Sequence, residues 1–427
     1  MVQTPSTQIT RLGQASFPSP LLERRQHFIE GERVLLGSTL LQIEPYLHAG
    51  QQPPAFEQAG PRRGLFFDPG QMACGIVTCG GLCPGINDVI RSMVLTLTYA
   101  YGVRHIYGFR YGYAGLAASQ GIEPIQLTPE SVESIHDEGG TVLGSSRGPQ
   151  EMGDMIQTLQ RLGVQLLFTV GGDGTLRGAS QLAQAILTQG LPIAVVGIPK
   201  TIDNDLQWVE RSFGFATAVE EASRALTAAH AEAKGAYNGI GLVKLMGRHS
   251  GFITAHATLS NSDVNFCLVP EVPFGLEGFL GALEERLRLR HHAVIAVAEG
   301  AAQELMERQQ AKDASGNVRL GDVGPMLRKA IEGHCGGRLE FTVKYIDPSY
   351  IIRSVPANAL DSEFCLALGQ HAVHAGMNGC TDMMVGYWNQ HFTHVPLSLA
   401  TGARRQLDPA GELWQRVLGS TGQPATM

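Results

Sequence analysis

Charge is scarce in this chain. Only 17% of its 427 residues are Asp, Glu, Lys or Arg, where an average soluble domain carries about 25%. The balance is acidic, a formal −7, which argues against a general binder of nucleic acid or of membrane surfaces, since either needs a broad basic face. Long apolar runs are missing too. No stretch approaches the ~18 uninterrupted apolar residues of a membrane-spanning helix. The opening MVQTPSTQITRLGQASFPSP has no apolar segment of the signal-peptide kind. Cysteine is sparse, odd in number at seven and scattered, which predicts reduced thiols in a cytoplasmic protein and not a disulfide framework. No H-E-x-x-H is present, and Cys79 and Cys83 have no partner pair that would give zinc spacing.

Glycine and apolar residues are plentiful, with 52 Gly and 44% hydrophobic residues. The length calls for more than one domain. Residues 1 to about 64, rich in Pro, Gln and Gly, are read as an N-terminal extension with a short strand at Arg33–Leu36. From Met72 onward, short apolar runs are each followed by a Gly-rich turn and a helical pattern, as in MACGIVTCGGLCPGINDVIRSMVLTL and VQLLFTVGGDGTLRGASQLAQAIL. That alternation predicts βαβ units, and hence an α/β fold with mainly parallel sheets covered on both faces. The segment TAVEEASRALTAAHAEAKG has the three-and-four spacing of a helix stopped by Gly. Strand–turn–helix texture then resumes in a second α/β domain. The polar ERQQAKDASGNVR, residues 307–319, reads as a loop, and SEFCLALGQHAVHAG as a helix.

The chemistry-bearing stretches fall where predicted strands end, the place where open parallel sheets hold ligands. CGGLCPGIN follows the strand at Gly75–Cys79 and lacks P-loop or dinucleotide spacing. It reads either as a structural turn or as a loop that lets backbone approach an anion. In GGDGT, Asp173 is placed to hold a hard cation such as Mg²⁺, with Thr175 and Gly178 near phosphate; an Asp helix cap is the plainer alternative. In PKTIDND, Lys200 can neutralise a polyphosphate. Asp203 and Asp205, alternating along an extended chain, share a face, so that one takes a hydroxyl proton and the other helps position metal. A salt-bridged loop is the alternative. Arg248 in LMGRHSG and Arg147 in GSSRGP suit phosphate clamps, and Glu299 at a strand end suits sugar hydroxyls. Lys344, Tyr350 and Arg353 in KYIDPSYIIR form a second candidate anion site. His371 and His374, three apart, read as helix surface, and Met246 as core drawn towards the site.

Taken as a set and in this order, TCGGLCPGIND, GGTVLGSSRG, GGDGTLRGA, PKTIDNDL and LMGRHSGF resemble the phosphofructokinase family, from about Arg62 to Pro396. With GPRRGLFFDP ahead of the first strand, the chain resembles the plant and trypanosome type that uses ATP more than the shorter bacterial one. The resemblance implies two Rossmann-like three-layer α/β/α domains with an active-site cleft between them. Residues 1–64 would be the extension, 65–214 plus 352–402 the domain for ATP and Mg²⁺, and 215–351 plus 403–427 the domain for the sugar phosphate. It implies 6-phosphofructokinase activity, with Asp203 as the base for the C1 hydroxyl of fructose 6-phosphate and Thr201 and Arg248 beside it. Asp173 and Asp205 match the Mg²⁺ site. Gly81, Tyr113, Arg147, Gly148, Gly174, Thr175, Gly178 and Lys200 fall at donor-binding positions. Thr201, Asp203, Met246, Gly247, Arg248, Glu299, Lys344, Tyr350 and Arg353 fall at sugar-phosphate positions. A homo-oligomer, dimer or tetramer, is implied by the same likeness.

The chain departs from the short bacterial pattern at Gly239 and Lys344, where those enzymes place arginines from a neighbouring subunit. It departs again at Leu95, where a second effector-site arginine would follow Arg91. Pyrophosphate-using members resemble one another in carrying Asp where Gly174 stands and Lys where Lys200 stands. This chain combines Gly174 with Lys200. An anion in the α-phosphate space would repel ATP by ~1–4 kcal/mol, so the glycine outweighs the lysine and the expected donor is ATP. Pyrophosphate is the alternative donor, and a non-catalytic sugar-phosphate or nucleotide sensor the alternative function.

Overall fold

The computed structural model describes residues 5–24, 26–306 and 318–427. Apart from Val318 and Arg319, the polar stretch at 307–319 lies outside them. The chain divides into two compact units: Met1–Thr201 with Leu206–Gly214 and Val355–Arg404, and Ile202–Asp205 with Phe215–Ser354 and Arg405–Met427.

The first unit is built on a nine-stranded sheet. Its centre runs Met383–Trp388, Ala194–Pro199, Val164–Gly171, Ala73–Thr78 and His105–Phe109, all parallel. Val196 lies opposite Phe168, and Ile76 opposite both Phe168 and Gly108. Strands Ala73–Thr78 and Ala194–Pro199 are buried along their whole length. Strands covered on both faces have no solvated side, so their runs read as continuously apolar and not alternating. Glycine serves close packing here: a Cβ on Gly75 would come within 2.6 Å of the Phe109 ring. Helices Ile86–Leu95, Asp173–Thr188 and Ala359–Met377 pack in this unit.

The N-terminal residues are woven into this unit. Thr10 pairs with Thr381, and Arg33–Leu35 pairs with Ala55–Gln58, which in turn pairs antiparallel with His391–Pro396. A partly exposed ion pair couples these pieces. Arg11 Nη2 lies 2.6 Å from Glu57 Oε2, and His394 Nδ1 lies 3.5 Å from the same oxygen. Burial alone would raise the Glu57 carboxyl, but nearby His394 and the hydrogen-bonded Arg11 outweigh it and hold the group well below the usual carboxylate range.

The second unit carries four parallel strands in the order Phe266–Leu268, His292–Ala298, Gly239–Leu245, Thr342–Ile346. Phe266, Phe279, Leu283, Ile295 and Leu327 form its core with helices Leu276–Arg290 and Val323–Cys335. The long helix expected from its periodicity spans Phe215–Lys234. Among the described residues no helix is long and apolar enough to cross a membrane.

The expected surface position of His371 and His374 is not found. Both lie on the helix Ala359–Met377, whose final residues, Ala372–Met377, are buried on every side. His374 is buried and its Nδ1 lies 2.7 Å from the Tyr101 hydroxyl; His371 packs on the Phe392 ring, 4.6 Å between centroids. Burial, with His394 and Arg62 adding positive charge nearby, lowers His371 to about 4; burial, with His371 and Arg62 nearby, lowers His374 to about 3. Both histidines are therefore neutral in the fold, while the unfolded chain takes up protons below about pH 6.5. Their stabilisation is complete above that pH and is lost as pH falls towards 4, at ~1.4 kcal/mol per pH unit for each group. Urea midpoints should fall steadily from pH 6.5 to 4.5, and a His371→Leu variant should show a shallower slope. Parallel slopes would remove His371 as a cause.

Candidate active site

In the first unit three strand ends are tied together by their turns. After Ala73–Thr78 the chain enters Gly80 in the left-handed region, at φ 86°. Gly80 N–H donates to the Ser146 carbonyl at 3.1 Å, and Ser145 Oγ donates to the Gly80 carbonyl at 2.6 Å. Lys200 follows Ala194–Pro199, is only 6% exposed, and donates from Nζ to the Gly81 carbonyl at 2.6 Å. A buried ammonium is tolerated only when such acceptors replace its water. A Cβ on Gly81 would lie 3.6 Å from an Arg147 Nη. Gly81, Arg147 and Lys200 thus share one loop cluster, with exposed Gly148 at φ 100° beside it. The stretch Gly144–Gly148 has the formal G-x-S-x-G spacing, but neither strand nor helix borders it, so it is no nucleophile elbow. Cys79 and Cys83 are buried, and burial pushes the Cys79 thiol up to about 12, which keeps it protonated and unreactive.

The turn Gly171–Gly172 leads into the helix Asp173–Thr188. Tyr113 donates from its hydroxyl to the Thr175 carbonyl at 2.9 Å, and its ring lies 3.1 Å from where a Gly178 Cβ would stand. Tyr113, Thr175 and Gly178 are therefore brought together. Gly174 is exposed, and a Cβ there would meet nothing within 4 Å. Thr201 hands its carbonyl to Ser212 Oγ at 2.6 Å.

Asp173 is held by two arginines that sequence reasoning missed. Arg177 reaches it from Nε at 3.1 Å and again through Nη2, and Arg404 Nη2 lies 3.3 Å away. The i,i+4 spacing of Asp173 and Arg177 was visible in GGDGTLRGA; Arg404, 231 residues on, was not. Among the described residues no three His, Cys, Asp or Glu side chains cluster to hold a metal by themselves. A carboxylate at a helix start fits an ion such as Mg²⁺ that arrives with phosphate oxygens completing its shell.

In the second unit, the segment Ile202–Asp205 is a turn and not the extended chain expected from alternation: Asn204 sits at φ 52°. Asp203 and Asp205 consequently do not share a face by strand geometry. The turn is fixed by its backbone, with Ser250 Oγ donating to the Asp203 carbonyl at 3.2 Å and Arg405 N–H donating to the Asp205 carbonyl at 2.8 Å. Ser250 belongs to the turn after Gly239–Leu245 that also carries Met246, Gly247 and Arg248. Gly247 is required there, at φ 127°, because a Cβ would fall 2.5 Å from the Ser250 carbonyl. Arg248 Nη2 donates to the Val318 carbonyl.

Glu299 caps the neighbouring strand, its N–H donating to Leu245 at 2.9 Å. Burial raises its carboxyl, and the charges of Arg248, Lys244 and Arg353 offset only part of that rise. Arg248, Glu299 and Arg353 thus occupy one electrostatic neighbourhood. Arg353 lies over the Tyr350 ring, 4.9 Å from its centroid, while Tyr350 itself is 77% exposed. Lys344 is exposed on the edge strand Thr342–Ile346.

Residues 73–376 match the family described as phosphofructokinase. An ATP-dependent 6-phosphofructokinase of Amycolatopsis methanolica is 48% identical over 97% of this chain and 94% of its own. One of Trypanosoma cruzi is 47% identical over 84% of this chain and 75% of its own. In fold, the chain is similar to the pyrophosphate-dependent phosphofructokinase of Marinobacter aquaeolei, at a TM-score of 0.69, 21% identity, and coverage of 82% and 91%. The order of the five motifs, the fold and the extent of these matches agree: the chain belongs to the phosphofructokinase family.

Proposed function

We propose that this chain transfers the γ-phosphoryl group of ATP to the C1 hydroxyl of fructose 6-phosphate, giving fructose 1,6-bisphosphate and ADP. The observation that carries the reading is the tie from Ser250 to the Asp203 carbonyl, which sets that carboxylate's turn against the turn of Arg248. A base and a guanidinium held on one rigid frame suit a reaction whose catalysis is positioning plus charge neutralisation. Asp203 takes the hydroxyl proton as O1 forms its bond to the γ-phosphorus. The bond from that phosphorus to the β,γ-bridging oxygen breaks, and ADP leaves with the electron pair. Arg248 neutralises the transferred group, and Thr201 serves the same step. Lys200, Arg147, Gly81, Gly148, Tyr113, Thr175 and Gly178 bind the donor. Met246, Gly247, Glu299, Lys344, Tyr350 and Arg353 bind the sugar phosphate. Asp173 and Asp205 are the carboxylates that would hold Mg²⁺, which supplies charge neutralisation on the donor phosphates. A homo-oligomer, dimer or tetramer, and a cytoplasmic location belong to the same reading.

ATP is the donor because Gly174 leaves its surroundings open. The relatives named ATP-dependent support this, and the pyrophosphate-dependent neighbour is similar in fold alone.

Product formation with ATP, ADP or pyrophosphate offered separately should give turnover with ATP; turnover with pyrophosphate alone would overturn the donor assignment. Asp203→Asn should lower kcat by about 10²–10⁴ while fructose 6-phosphate still binds. Gly174→Asp should fold normally, since its Cβ meets nothing within 4 Å. Its ATP turnover should fall roughly tenfold or more through repulsion of the α-phosphate. Unchanged ATP kinetics in that variant would separate Gly174 from donor choice.

A further inference from the structure

Lys244 plays no part in the reading above, and sequence reasoning passed over it. It lies on Gly239–Leu245, one residue before the strand's end, with its side chain 14% exposed. Its Nζ stands 2.8 Å from Asp347 Oδ2 and 3.0 Å from Asp322 Oδ1. The other oxygen of Asp347 accepts from the Ser349 N–H at 3.1 Å and from the Ser349 hydroxyl. Ser349 opens the short helix Ser349–Ser354, which presents Tyr350 and Arg353.

A helix of six residues does not hold itself, because nucleation costs more than so few hydrogen bonds return. Its placement depends on its ends and on its buried side. Ile352, wholly buried, anchors the underside. The leading end is set by the Asp347 turn, and a carboxylate that caps with one oxygen needs its other oxygen fixed if the turn is to have one orientation. Lys244 does that from the adjacent strand, paired in register through Val243 and Ile346.

We infer that Lys244 is a positioning residue for the sugar-phosphate site: by holding Asp347 it fixes the helix that aims Tyr350 and Arg353. The inference rests on the proposal that those two residues bind fructose 6-phosphate. Lys244 also contributes positive charge near Glu299, so its ammonium steadies both sides of that neighbourhood. Two partly exposed ion pairs add little to global stability, so the consequence of removing Lys244 falls on placement and not on folding.

The test is steady-state kinetics of the full chain for both substrates, with calorimetric binding of fructose 6-phosphate. Lys244→Met should raise KM for fructose 6-phosphate roughly tenfold, as a displaced binding group does, while kcat and KM for ATP stay within about twofold. Lys244→Arg, which keeps the charge, should restore most of the affinity. Asp347→Asn should reproduce the defect, and the double variant should add little to either single one. An unchanged KM for fructose 6-phosphate in both Lys244→Met and Asp347→Asn would overturn the inference. So would a fall in kcat and in affinity for both substrates together with a lowered melting temperature, the mark of a merely structural role. Arg353→Ala separates the two layers: a binding loss there, with none in Lys244→Met, defeats the positioning role alone. No binding loss in Arg353→Ala defeats the site reading and this inference with it.

Discussion

Parallel strands covered on both faces leave one place for charge, the turns beyond their carboxyl ends, and the rest of this chain is arranged around that constraint. The central strands of the first unit are apolar along their length. Lys200, Asp173 and the Gly80–Gly81 turn follow directly upon them. In the second unit Glu299 and Arg248 likewise follow strand ends, and Lys244 is a charge placed one residue inside its strand and held there by Asp347 and Asp322. Lys200 and Asp205 are nonetheless buried at those ends. Backbone acceptors such as the Gly81 carbonyl replace the water that such a buried charge gives up.

Backbone carbonyls carry more of that work than side chains do. Lys200 is held by the Gly81 carbonyl, Ser250 holds the Asp203 carbonyl, and the Asp205 carbonyl accepts from Arg405. Each tie fixes a loop through its main chain and leaves side-chain groups of that loop to face a ligand. Glycine makes this feasible at Gly80 and Gly247, whose left-handed φ values of 86° and 127° few other residues adopt. Where two side chains do pair, as Lys244 with Asp347, the pair orients an element and is not itself the chemistry.

The N-terminal segment, whose role composition did not reveal, is a structural margin of the first unit. Arg33–Leu35 and Ala55–Gln58 extend the nine-stranded sheet through antiparallel pairing, Thr10–Arg11 makes a separate two-stranded pair with Cys380–Thr381, and the Arg11–Glu57–His394 group links these pieces. This also explains why His371 and His374 were misread. Spacing of three places two histidines on one helix face but does not say what covers that face. Tyr101 and Phe392, distant in sequence, cover it.

Sequence by itself determined the strand–turn–helix order, the family and the identities at Gly174, Lys200 and Asp203, because local period and motif spacing survive without tertiary context. It also singled out two candidate stretches for anion handling, since a charge cluster after an apolar run needs a use wherever the chain goes. What it could not reach were relations set by packing. The turn at Asn204 cancels the shared face expected for Asp203 and Asp205. Arg404 joins Asp173 from 231 residues away, and Lys244 reaches Asp347 across neighbouring strands. Those contacts are decided by which strands lie side by side and by the φ of single residues, quantities that no one-dimensional pattern encodes.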